Sequence, residues 1–278
     1  MCGFPAAAAM ELPIIDADSM GRAFPRVDMS LPFVYSSCDP FPAVVADARK
    51  NAHVIAYADS PRRLENLMRA TCVELGHSAA VAMTIPGHAL RDYCCHNVMS
   101  MSWYVGRAIY FARQQNRNVV QAVISARPGS RLLYCGKVGN LSKNVKGGWS
   151  TGIAVVNSDT ESLEDSCGAP EIPARPMVLQ YQNEFLYAAL QNADRSLEPV
   201  CTTPDMVTVL DQDGSAIATN ELRFGLRVSV IAMPAHPLWL TPQGMKVASP
   251  EAFGLDMAYK SYGGSWGKPR SVIQEFGR

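Results

Sequence analysis

Asp16 and Asp18 stand two residues apart at the end of an apolar run, Pro13-Ile-Ile-Asp-Ala-Asp18, and Gly21-Arg22 and the turn-forming pair Phe24-Pro25 follow directly. Carboxylates carried to the tip of a buried strand are costly unless they are paired or put to use. Two chemistries suit the spacing. One carboxylate could act as a base towards water, or both could hold a divalent cation such as zinc or manganese, with the Arg22 guanidinium steering charge nearby. The plainer alternative is an ion pair with Arg22 plus a cap on the turn that follows.

A second constellation, Asn183-Glu184, follows the β-rich run Met177–Gln182. An amide beside a carboxylate offers N–H donors and oxygen acceptors at one point, which suits a ligand with both. It equally suits a satisfied turn between two strands. Pro204-Asp205 reads as an acidic site residue or as a turn entering the strand Met206–Leu210. Cys94-Cys95-His96, with His88 upstream, lacks the usual structural-zinc spacing. A Cys/His nucleophile is one reading of it; buried thiols at the start of a helix are the other.

The elements that must position these groups fall in two halves. Between Pro13 and Ala17 a buried strand is expected. Ala43–Ala48 and His53–Ala58 flank a polar turn and predict a hairpin. Ser60-Pro61 supplies an N-cap and a first-turn proline. Leu64, Leu67, Met68, Thr71, Cys72 and Leu75 then share one helical face up to Gly76. Ser78–Thr84 reads as a further buried strand, and a second helix is expected from about Met99 to Arg117. From Arg131 onward the pattern is mainly β: Arg131–Val138, Trp149–Val156, Met177–Gln182, Phe185–Leu190, Met206–Leu210 and Leu226–Ala232. Asn157–Pro176 is polar and acidic and reads as a loop, Asp211–Gly214 as a turn, Pro234–Pro242 as irregular and the stretch after Tyr262 as loose. The fold class is therefore α+β, a mixed α/β part over 1–128 followed by a mainly β domain over 129–278.

Composition narrows the function. The chain has 278 residues, 48% of them hydrophobic, with 25 basic and 25 acidic side chains. No basic stripe with interleaved aromatics points to nucleic acid, and no apolar stretch suits a spanning helix. Met1–Met10 lacks a charged n-region and is read as a helix leading into a strand rather than as a targeting signal. The eight cysteines form no CxxC pair and are expected as reduced, mostly buried thiols in the cytoplasm.

Several short strings, in order, carry a resemblance across nearly the whole chain. They are Leu12–Pro25, Gly106-Arg107 before Ile109, Gly136-Lys-Val138, Gly147-Gly-Trp-Ser-Thr-Gly152, Gln182–Leu186, Pro204–Val207, Leu222–Gly225 with Arg227-Val228, and Pro250–Gly254. The chain resembles the S-methyl-thiohydantoin desulfurase-like proteins, which are often encoded beside, or fused to, hydantoinase and oxoprolinase proteins. Family members carry a further stretch before the Asp-x-Asp string, including a glycine-rich loop, so the chain reads as shortened at its N-terminal end. The resemblance implies a hydrolase acting on a hydantoin- or thiohydantoin-type cyclic imide, with water attacking the ring carbon that bears sulfur and a thiol departing. It casts Asp16 or Asp18 as base or metal ligand and Arg22 as charge stabiliser. Asn183, Glu184 and Asp205 fall on the substrate side. It also implies an oligomer and a hydantoinase- or oxoprolinase-type partner. The alternative is a non-catalytic accessory subunit or a degenerate copy within such a complex.

Overall fold

The computed structural model describes residues 3–36, 38–146, 149–158 and 173–277. Its centre is a seven-stranded antiparallel sheet in the order β10-β9-β8-β7-β6-β12-β11. The strands are β6 Arg131–Lys146, β7 Trp149–Ser158, β8 Met177–Gln182, β9 Glu184–Gln191, β10 Leu197–Thr202, β11 Met206–Leu210 and β12 Arg227–Met233. Two of them, β9 and β12, read as nearly unbroken apolar runs where a one-sided sheet would alternate, because both of their faces are covered. One face of the sheet joins Tyr134, Val156, Leu179, Ala188 and Val230 in the main core. On the other, Ile231 and Leu210 meet Val120 and Val123 of helix α6 (Val119–Ala126), and Tyr187 and Ala189 meet Leu255 and Met257.

Ahead of this sheet lies a smaller layer. Strands β2 (Ala43–Ala46), β3 (Ala52–Ile55) and β4 (Ala80–Ala82) pair antiparallel in the order β3-β2-β4. Helix α3 (Pro61–Glu74) begins as the sequence requires, with Ser60 Oγ accepting from Arg63 N at 3.2 Å. Leu64 and Met68 are its buried anchors. Gly76 closes it at φ +88°. Helix α5 (Val98–Gln114) runs from a short strand β5 (Cys95–His96), which pairs with β1 (Ala17–Asp18). The remaining helices are α1 Gly3–Ala9, α2 Leu31–Tyr35, α4 Gly87–Tyr93, α7 Pro242–Ala248 and α8 Val272–Phe276. The architecture is α+β, and no helix among the described residues is long and apolar enough to cross a membrane.

Four expectations need correction. The run Pro13–Ala17 is not a buried strand: only Ala17 and Asp18 pair, and Ile15 is 60% exposed. Its partner β5 is too short to shelter more of it. Ser78–Thr84 forms a strand only over Ala80–Ala82, at the sheet edge and exposed. The segment after Tyr262 is held rather than loose. Asn97 Nδ2 donates to Pro269 O at 2.9 Å, Val272 N donates to Ser100 Oγ at 2.9 Å, and Trp266 joins a core cluster. Finally, Cys38, Cys72, Cys94, Cys95 and Cys201 are free thiols, but Cys135 is disulfide-bonded. Most of the expected loop 157–176, and Gly147-Gly148, lie outside the described residues.

Candidate functional site

Arg22 is the side chain around which the two parts of the chain meet. It reaches from the N-terminal segment into the sheet domain and is 8% exposed. Its Nη1 donates to Asp205 O at 2.7 Å and, more loosely, to Pro204 O at 3.3 Å and Thr203 Oγ1 at 3.4 Å. Nη2 donates to Phe185 O at 2.9 Å and Nε to Ala23 O at 3.1 Å. The Phe24 ring lies 4.8 Å from its guanidinium carbon. Burial lowers its pKa to about 10, against the opposing pull of Glu184, Cys201 and Asp205. The group therefore keeps its charge at neutral pH. A guanidinium has five N–H donors, and these acceptors leave one Nη2 proton without a partner among the described residues.

Arg22 lines a cavity of about 500 Å³. Its wall is built where β7, the β8–β9 turn, β11 and the 216–220 loop converge. Asn183 makes that turn, at φ +57°, a left-handed conformation that asparagine tolerates. Its Oδ1 accepts from Ser150 N at 2.7 Å, its own N–H donates to Ser150 O at 2.6 Å, and Thr219 Oγ1 donates to its carbonyl at 2.6 Å. These bonds clip three segments into one rim. Asn183 is thus the satisfied turn that the sequence allowed. Glu184 follows it on the same lining. Burial pushes the Glu184 carboxyl above its ordinary value, and the Arg22 charge pulls partly the other way. Met206, Val207 and Ile217 make the apolar side.

Asp205 stands behind this cavity. Its carboxylate accepts from Ala235 N at 2.9 Å and from Tyr259 OH at 2.9 Å, and only its backbone carbonyl meets Arg22. Burial raises its pKa, and those hydrogen bonds offset part of the rise.

The two aspartates lie elsewhere. Asp16 Oδ1 accepts from Ser100 N at 3.0 Å and Oδ2 takes the Ser100 hydroxyl, so this carboxylate caps the first turn of α5. Asp18 Oδ1 accepts from Met20 N at 2.6 Å and from Gly21 N. That turn needs Gly21, whose φ is +73° and where a Cβ would sit 2.8 Å from Cys95 Sγ. Neither aspartate lines the Arg22 cavity, and neither is hydrogen-bonded to Arg22. Arg22, Asn183 and Glu184 come together there; Asp16 and Asp18 serve the turn and helix that deliver Arg22. Both oxygens of Asp16, and Oδ1 of Asp18, are taken by N–H and hydroxyl donors, and among the described residues no group of three His, Cys, Asp or Glu side chains converges to hold a metal. Cys94 and Cys95 are buried, and burial raises both thiols, Cys94 to about 11.

Ser150, Thr219 and the backbone carbonyls around Arg22 were not named as site groups, although Asp205 was named for its carboxylate. Ser150 lies inside the Gly147–Gly152 string, and Ala23, Phe185, Pro204 and Asp205 lie inside the Leu12–Pro25, Gln182–Leu186 and Pro204–Val207 strings; Thr219 had no signal.

The family model described as S-Me-THD-like, N-terminal domain, matches residues 1–57, and S-Me-THD-like, C-terminal domain, matches residues 59–262. Among solved structures, an X-ray crystal structure of a protein from Chromobacterium violaceum, a structural-genomics target, is similar with a TM-score of 0.65. The likeness covers 94% of this chain and 68% of that one at 19% identity, which is a likeness of fold. Among the curated proteins none matches.

Proposed function

This chain belongs to the S-Me-THD-like family, and from that premise we propose that it binds a thiohydantoin-type cyclic imide in the Arg22–Glu184 cavity and hydrolyses its exocyclic C–S bond. One observation carries the reading: a buried guanidinium that is charged at neutral pH and a carboxyl held above its usual pKa line the same cavity of about 500 Å³. A volume of that order suits a small ring with room for water.

In the proposed step Glu184 is the base. It takes a proton from water as the oxygen bonds to the ring carbon carrying the S-methyl group. Electron density moves onto the adjacent ring nitrogen, where the Arg22 charge favours it. The nitrogen's electron pair re-forms the ring C=N as the C–S bond breaks, the thiolate leaves with the proton returned from Glu184, and the remaining hydroxyl proton shifts to that nitrogen to give the ring C=O. The products are the hydantoin and methanethiol. A carboxyl with a raised pKa is better matched to both halves of this transfer near neutrality. Asn183 Nδ2 and Ser150 supply polar contacts at the ring edge.

A second reading, binding without turnover, draws on the engagement of Arg22: nearly all its donors already serve the fold. In that role the chain is an accessory subunit beside a hydantoinase-type protein.

Incubating the purified chain with S-methyl-thiohydantoin separates the readings. Methanethiol release with and without added zinc or manganese, lost in Glu184→Gln, supports hydrolysis. Thermal stabilisation by the ring compound without product supports the accessory role. Neither product nor stabilisation, with the chain folded, removes both.

A further inference from the structure

Beyond the Arg22 cavity, Arg127 presents an unsolved electrostatic problem. It is 2% exposed, and among the described residues its Nε and Nη1 have no hydrogen-bond partner. The Trp266 ring lies 4.3 Å from its guanidinium carbon. The ionisable groups acting on it are the Tyr262 phenol and the Cys95 thiol, neither a carboxylate, and burial lowers its pKa. The C-terminal end of α6 is adjacent, since Arg127 is its C-cap. A helix terminus supplies only about half a negative charge. A buried cation without a counter-charge is among the costliest arrangements a fold can hold.

Arg127 lines a separate cavity of about 170 Å³, which shares no residue with the Arg22 cavity. Lys268 and Arg270 line it too, with Ser125 and the Tyr104 ring, and no Asp or Glu does. Among the described residues the acid in contact with this lining is Glu275, which is engaged by Tyr104 OH and, at 3.6 Å, by Arg270 Nη1. The space exceeds the roughly 30 Å³ share of one water, and water would not neutralise the charge. We propose that this cavity is a binding site for a small oxyanion, phosphate or carboxylate in kind, held by Arg127 and Lys268 with Arg270 at the rim. Arginine forks and lysine ammoniums are suited to such oxygens.

The test is calorimetric titration of the intact chain with inorganic phosphate and, in a parallel arm, with acetate, at ionic strength fixed by chloride. Saturable binding of one equivalent of either anion is expected. Phosphate as the tighter binder assigns a phosphate-type ligand; acetate as the tighter assigns a carboxylate. Lys268 is exposed, so Lys268→Glu leaves the fold intact, and it should weaken binding by about tenfold or more. Arg127→Met should abolish binding; if that variant fails to fold, Lys268→Glu decides. Absence of saturable binding for both anions, or binding that Lys268→Glu leaves unchanged, overturns the proposal.

Discussion

Replacing Arg22 by methionine tests how the two parts of the chain are joined. Methionine fills much of the same volume but removes the charge and every donor. The native guanidinium is buried at a cost: its pKa falls from 12.5 to about 10, which at 1.36 kcal/mol per unit is about 3 kcal/mol. Methionine recovers that amount. It also strips the donor from the carbonyls of Ala23, Phe185, Pro204 and Asp205. At roughly 1–1.5 kcal/mol for each under-satisfied acceptor, that loss is about 4–6 kcal/mol. The net expectation is a destabilisation of about 2 kcal/mol, or about 3–4 °C in Tm. Urea unfolding measures the first quantity and calorimetry the second. A second readout separates anchoring from packing. The Arg22 charge holds Glu184 down, so carboxyl-carbon NMR should show Glu184 titrating higher in Arg22→Met. Unchanged or increased stability, together with an unmoved Glu184, would refute the reasoning.

Three further outcomes are expected. Asp16→Ala removes the cap on α5 and should cost about 1 kcal/mol while leaving ligand affinity at the Arg22 cavity unchanged, as read by urea unfolding and titration of hydantoin. Gly21→Ala meets both a positive φ and the Cys95 sulfur, so it should destabilise by at least about 1 kcal/mol, measured by thermal unfolding. Glu184→Gln should flatten the pH dependence of stability above pH 4.5. The folded carboxyl titrates above its ordinary value of 4.5, so between the two values the native state keeps a proton that the unfolded chain has released. Stability then falls as pH rises through that window. Urea midpoints across pH 4 to 8 report the slope, and an identical slope in the variant would contradict the assignment.

Much of this was legible in the sequence, for reasons that differ by element. β8 and β11 fall where continuous apolar runs meet turn residues, and α3 begins and ends at its own cap signals. Local chemistry decides such elements. β10 (Leu197–Thr202) was not foreseen, because Pro199 and Glu198 obscure an edge strand whose pairing comes from β9. Helix α6 was not foreseen, because its short apolar run reads alike as strand or helix until it packs on β12. The site was half legible. Arg22, Asn183 and Glu184 were named from their types, and the cavity unites them. Asp16 and Asp18 were named for the same reason, yet backbone N–H groups take them up. Whether a carboxylate beside a glycine turn faces a ligand or its own chain depends on which N–H groups lie within reach, and that is a property of the assembled fold.

The central claim is that the space between Arg22 and Glu184 receives a five-membered cyclic imide. A crystal structure of the chain soaked with hydantoin measures this directly. Ring density is expected between Glu184, Ser150 and Ile217, with a polar ring edge towards Asn183 and Glu184. Ring density at another place in the molecule, with this cavity holding only water, would contradict it.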